Sequence, residues 1–312
     1  MKYKLVKKEK MYTVAVRKRL NNEDHFWMHD DYQFIECNIP MSDRYWYADP
    51  FLFEKDGITY IFYEAFDLVT KLGKIGYSIL KEDGTCSSPN IIIDEKFHMS
   101  FPNIFEENGS IYIMPETCGD YRVKLYRAIS FPDKWVVEHA VLDDVFACDT
   151  VMIDEGSNRY LLANEMYHNC PVNSYPSCWV KNMLYPMKGL TVNGVGIKVA
   201  EGDYGIRNAG KVVKINDHLY RIGQDCRFRE YGRGMCLFRI DNFSPYQETQ
   251  VWSVDYNNMS KHVIQAHDRK YIGTHTYNFS EHYEIIDLSS LNKVCHKTRA
   301  RRIWYNLTHI KL

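Results

Sequence analysis

Long apolar runs are missing from this 312-residue chain. No window approaches the roughly 20 residues of a membrane-spanning helix, so no transmembrane segment is expected. Surplus charge is missing as well. Thirty-nine Lys and Arg face 40 Asp and Glu, a formal net charge of −1. That balance excludes the strong cationic field of a nucleic-acid binder, and it gives no bulk attraction to an anionic membrane. The nine cysteines include no CxxC pair, and Cys170 and Cys178 match no common zinc spacing. The first residues form a basic run without an apolar core, so no secretory signal is expected there. Together these features predict reduced thiols and a cytoplasmic location. The segment Gly223–Gly234 lacks the GxxxxGK[ST] pattern of a phosphate loop and reads instead as a rim loop. No long amphipathic helical period is apparent.

Aromatic residues are plentiful, at 14% with 24 Tyr, which suits strands and surfaces that stack on sugar rings. One hairpin pattern recurs. It reads DPFLFEKDGITYIFYEA from Asp49, FPNIFEENGSIYIMPET from Phe101 and DTVMIDEGSNRYLLANE from Asp149. NAGKVVKINDHLYRIGQD from Asn208 and KHVIQAHDRKYIGTHT from Lys261 extend the series. A period of about fifty residues leaves room for two further strands per copy, and segments such as KIGYSIL and NIIID supply them. The reading is an all-β five-bladed propeller, one domain over residues 1–312, with blades starting near 49, 101, 149, 208 and 261. Residues 1–40 are read as a closing segment, in which QFIECNI provides the outer strand of the last blade. Residues 292–312 are a C-terminal extension packed outside the ring.

In such a ring the start of each first strand and the end of each second strand meet at one mouth. The starts carry Asp49, His98, Ser100, Asp149, Arg207, Asn208 and His262. The ends carry Glu64, Glu116, Asn164, Gln224, Asp225 and His275. Carboxylates and amides bind vicinal hydroxyls, and paired carboxyl groups can separate their pKa values into an acid and a base. A sugar or glycan is therefore the expected substrate.

Asp49-Pro50 and Asp149 resemble the openings of blades one and three in the arabinanase and β-xylosidase clan of glycosidases. The set YADPFLF, HMSFPNIFEENGSIYIMPET, LYRAISFPDKW, CDT, RNAGKVV and LYRIGQDC is more similar to the N-terminal propeller of plant glucosamine inositolphosphorylceramide transferases and their bacterial relatives. The clan resemblance implies Asp49 as general base and Asp149 as a carboxylate that tunes pKa and orients substrate. Its blade-four acid is replaced by Arg207-Asn208, and an amide cannot donate the proton. Glu116 is then the leading acid, with Glu64 and Asp225 as alternatives. At His262 two readings stand, the central divalent cation that the resemblance implies and a hydrogen-bonded channel histidine, and His98 reads the same two ways; no other cofactor is expected. Arg207 suits a phosphate or carboxylate of an activated donor. The expected activity is glycosyl transfer during glycan assembly inside the cell. A hydrolase with a relocated acid and a non-catalytic sugar-binding propeller are the alternatives.

Overall fold

Short acidic or amide turns close the hairpins. Asp56-Gly57 and Asn108-Gly109 both hold positive φ at both positions, as a tight antiparallel reversal requires. The computed structural model describes residues 8–40, 42–166, 177–266 and 268–309. Five sheets follow one another around an axis. Blade one comprises Tyr45–Lys55, Ile58–Asp67, Gly73–Leu80 and Asn90–Ile93. Blade two comprises Ser100–Glu107, Ser110–Glu116, Arg122–Ser130 and Lys134–Asp143. Blade three holds Ala147–Glu155, Asn158–Met166, Val180–Lys188 and Ile197–Gly202. Blade four holds Tyr204–Asn208 with Val213–Ile215, then His218–Asp225, Gly234–Phe243 and Tyr246–Asp255. The protein is thus a five-bladed β-propeller closed by an N-terminal strand.

The fifth blade differs from expectation. Its inner ladder is Tyr271–Gly273 with Tyr277–Phe279, and its second strand is Tyr283–Lys293. Lys8–Lys18 is the third strand, paired from Lys8↔Lys293 to Lys18↔Tyr283. Phe34–Glu36 is the fourth, within the predicted QFIECNI segment. Val263–Ile264, read as the start of the inner strand, instead adds in parallel to the outer edge beside Phe34 and Ile35. The reason is non-local. Eleven residues, buried along most of Met11–Val16, form a strand at the N-terminus that completes the sheet, so the segment from 261 has no inner position left.

Apolar faces pack between blades. Phe51 and Phe101 meet edge to face at 4.9 Å, in a cluster with Phe62, Ile113 and Val151. Each such buried side chain contributes about 1.5–3 kcal/mol. Buried asparagines tie blade to blade. Asn103 donates to the Thr150 carbonyl, Asn208 to the Asp149 carbonyl and Asn278 to the Pro50 carbonyl.

Gly210 permits the closest approach between blades four and five. A Cβ there would lie 1.8 Å from the Tyr277 carbonyl oxygen, which is backbone and cannot swing aside. Gly210→Ala is expected to cost about 1–3 kcal/mol or more, read from the urea midpoint. An unchanged midpoint would mean that this junction can spread.

A helix also forms, His296–Thr308, where no helical period had been read. Thr298 is buried beneath it, and Arg302 donates to the Leu68 carbonyl and pairs with Glu9. The helix therefore sits at the mouth end of the ring, beside blades five and one. Among the described residues, no helix is long and apolar enough to cross a membrane.

Candidate active site

Three of the repeated first strands share one irregularity. Asp49, Phe101 and Asp149 have φ of 47°, 48° and 43°, and each sits in a register shift against its neighbour strand. Left-handed backbone at a non-glycine residue costs on the order of 1–3 kcal/mol and clusters at functional sites. The bulge interrupts the strand's alternation where these residues reach the axis.

Four carboxyl groups from three blades meet there. Asp49, Glu64, Glu116 and Asp149 are 4%, 5%, 6% and 1% exposed. Strand ends at a mouth imply access to water, but these acids are nearly enclosed. Asp49 accepts from the Thr276 hydroxyl at 2.7 Å and from the Phe101 N–H at 3.3 Å. Asp149 is paired with the Arg207 guanidinium and accepts from Gln224 at 3.3 Å. A second arm of Arg207 reaches Glu116 at 3.4 Å. Glu116 also receives the Cys118 thiol at 3.0 Å and a bond from the Ser100 hydroxyl. Glu64 has less support. His98 lies 3.6 Å from its Oε1, and that oxygen has no hydrogen-bond partner.

Burial pushes all four carboxyl pKa values up. Asp149 reaches about 6, with Arg207 pulling against burial. Asp49 is raised by burial despite His275, and Glu116 by burial despite Arg207. Glu64 is raised well above the usual range by burial reinforced by Asp49 and Glu116. The strongest influences on it all raise it, and burial lowers the neighbouring His98 to about 4, which leaves that imidazole neutral. Glu64 is thus the carboxyl group that most firmly keeps its proton.

Blade five brings one of its two expected histidines to the mouth. His262 lies at the outer edge, where its ring stacks on Tyr32 and its Nδ1 is 3.1 Å from the Tyr32 carbonyl. It therefore does not line the channel. His275 takes that place. Its Nδ1 is 2.5 Å from Asp287 and its Nε2 is 3.5 Å from Asp49. Burial disfavours its imidazolium, but Asp287 and Asp49 outweigh burial and raise its pKa. Asp49, His275 and Asp287 place ligand atoms within 4.8 Å of one another, and this donor set suits a divalent cation. His262 lies apart from this group.

Three further expected residues serve the scaffold. Asn164 accepts from the Asn208 N–H and donates to Asn182 and the Ile206 carbonyl. Asn208 clamps blades three and four through its own amide. Asp225 points to the opposite side of its strand from Gln224 and pairs with Arg227 and Arg233. Cys170 lies outside the described residues, and Cys178 neighbours Cys226, a hydrogen-bond partner rather than a zinc-site spacing.

Sequence reasoning missed Lys10, Tyr12, Tyr231, Thr276 and Asp287. Tyr12 stacks on His275 at 4.8 Å, and Tyr231 lies across both His275 and Arg207. Lys10 donates to the Tyr231 carbonyl at 2.5 Å, which anchors the Cys226–Arg233 rim loop over the mouth. An acid inside the apolar run EIIDL was the available signal for Asp287.

Similar proteins fall into two groups. Solved propellers share the architecture at low identity. A thermostable family-43 glycoside hydrolase superposes with a TM-score of 0.58 at 10% identity, covering 81% of this chain and 91% of that one. The α-L-arabinofuranosidase of Podospora anserina, in complex with cellotriose, gives 0.58 at 9%, covering 85% and 98%. Curated relatives share sequence. Glucosamine inositolphosphorylceramide transferase 1 of Arabidopsis thaliana is 31% identical over 222 residues, 70% of this chain and 28% of the relative. The protein of that name from Oryza sativa subsp. japonica is 29% identical over 223 residues, 70% and 29%. The chain spans less than a third of the length of the curated relatives it matches. It belongs to the family described as "Glucosamine inositolphosphorylceramide transferase 1, N-terminal", which matches residues 35–306.

Proposed function

We propose that the carboxylate-lined mouth is a glycosyl-transfer site of intracellular glycan assembly, using an activated sugar donor. One observation carries this reading: Arg207, a buried cation, bridges Asp149 and Glu116 at the mouth, and the sequence resemblance would put the clan's proton donor at this point of blade four. A guanidinium cannot protonate a leaving alcohol. It can stabilise the charge of a departing phosphate. Asp49 is the base that takes the acceptor hydroxyl proton, and Asp149 orients the sugar and fixes Arg207. Glu116, Gln224, Ser100 and His98 line the approach. The relatives' name, which couples a transferred glucosamine to a glycolipid, supports transfer over degradation. The eight described cysteines are all unpaired thiols, which suits a reducing compartment. A divalent cation between Asp49, His275 and Asp287 would keep those carboxylates ionised.

A hydrolase is the second reading, and Glu64 favours it, because a protonated, partly unpartnered acid is what a glycosidase needs. The third is a sugar-binding propeller without chemistry, favoured by the enclosure of all four acids. Incubation with nucleoside-diphosphate sugars and hydroxyl acceptors, followed by mass spectrometry, separates the three. Transfer yields a new glycoside and a nucleotide. Free sugar from simple glycosides supports hydrolysis, and calorimetric binding without product supports the third reading. No binding and no product would remove the site.

A further inference from the structure

The helix His296–Thr308 presents its apolar stripe away from the protein. Thr298 and Arg302 face the ring. On the other side, Ala300, Ile303, Trp304 and Leu307 follow the i, i+3, i+4, i+7 spacing of a single helical face. Ile303, Trp304 and Leu307 are 62%, 67% and 67% exposed. A helix that served only to pack on the ring would turn these residues inward. Exposed Lys297 and Arg301 flank the stripe, and no acidic residue follows Asp287 in the sequence. The near-zero bulk charge thus conceals a basic stretch along this helix.

We propose that this helix docks the propeller on an anionic lipid bilayer, with its apolar stripe at the headgroup–acyl boundary and its basic flanks among the lipid phosphates. Thirteen residues reach about 20 Å, short of the hydrocarbon thickness, so the helix lies on the surface and does not span it. Trp304 suits that boundary, having an apolar ring and one N–H donor. Charge favours lipid over a protein partner of mixed surface, because the exposed charges flanking the stripe, Lys297 and Arg301, are both cationic. Leu68, which anchors the helix, follows the strand that carries Glu64. Docking therefore turns the mouth toward the bilayer. The docking surface stands independently of the glycosyl-transfer reading.

Co-sedimentation of the full chain with vesicles tests it. Binding is expected to vesicles of equimolar phosphatidylcholine and phosphatidylglycerol, not to phosphatidylcholine alone, and is expected to weaken with added salt. Trp304→Ala with Leu307→Ala should lower the partition coefficient by about tenfold or more, since each buried side chain contributes on that order. Lys297→Glu with Arg301→Glu should do the same. These residues are exposed, so both variants should keep the parent's thermal midpoint. Three results would overturn the proposal: no partition onto the anionic vesicles, equal partition by parent and both variants, or a solution dimer that the same substitutions dissolve. Binding to an RNA oligonucleotide in preference to vesicles would overturn it too.

Discussion

Arg207→Met is expected to cost about 3–5 kcal/mol of folding free energy at neutral pH, because it leaves buried charges without their partner. Arg207 contacts Asp149, lies 3.4 Å from Glu116 and donates to the Ser177 carbonyl at 2.8 Å. Without it, two carboxyl groups face each other with Asp49 and Glu64 close by. The pH dependence follows from the direction of the shifts. Asp149 is raised to about 6 in the folded protein. A carboxyl group raised above its unfolded value binds more protons in the native state. Its contribution therefore favours folding at low pH and declines as pH climbs from the unfolded value to the folded one. Removing Arg207 raises the folded value further and extends the decline past neutrality. The loss relative to wild type should be small near about pH 4 and largest above about pH 7, where the unfolded carboxylates are fully ionised. Urea denaturation across that range measures it. Arg207→Lys, which keeps the charge without the fork, should fall between the two. An equal loss at every pH would mean that Arg207 acts by packing alone.

Legibility from sequence tracked the distance over which each element is specified. Blades one to four announce themselves locally, because their hairpins close through Asp56-Gly57, Asn108-Gly109, Gly156 and Asn216-Asp217. Their inner strands begin at Tyr45, Ser100, Ala147 and Tyr204, shortly before the aligned starts of the repeat, and the aligned Asp49, Phe101 and Asp149 share the same backbone twist. Blade five is assembled from both ends of the chain. Its third strand, Lys8–Lys18, is fixed by a partner near residue 290 and begins in a lysine-rich run that reads as a solvated arm. Without that strand, 263–264 looks like an inner strand and His262 like a channel residue. The carboxyl cluster was legible because it rests on the local repeat. Arg207's pairing, the isolation of Glu64 and the pairing of His275 with Asp287 were not, since each depends on which side chains meet across the axis. Asn208 shows the same limit from the other side. An amide at a strand end reads equally as a sugar ligand or a blade clamp, and only its contact with the Asp149 carbonyl decides.

Asp49→Asn should lower glycosyl transfer by about 10²–10⁴-fold, the usual contribution of a positioned base, while leaving the fold and sugar binding close to wild type. Asparagine is among the residues best tolerated at positive φ, so the bulge at 49 should persist. Its amide oxygen can still accept from the Thr276 hydroxyl, and only the contact with the Phe101 N–H is compromised. What disappears is the capacity to take a proton. Glu64→Gln provides the contrast. With a nucleoside-diphosphate donor the leaving phosphate is a weak base and needs no proton, so this variant should keep its rate within about tenfold. With an unactivated alkyl glycoside the leaving alkoxide does need one. A hydrolase relying on Glu64 would then lose activity on alkyl glycosides and keep it on aryl glycosides, whose leaving groups are acidic. Rate measurements on the three substrate types therefore identify the reaction and its proton donor together. A full loss in Glu64→Gln with the nucleotide sugar would move the base from Asp49's side of the mouth to Glu64's. Unchanged turnover in Asp49→Asn would remove Asp49 from the chemistry.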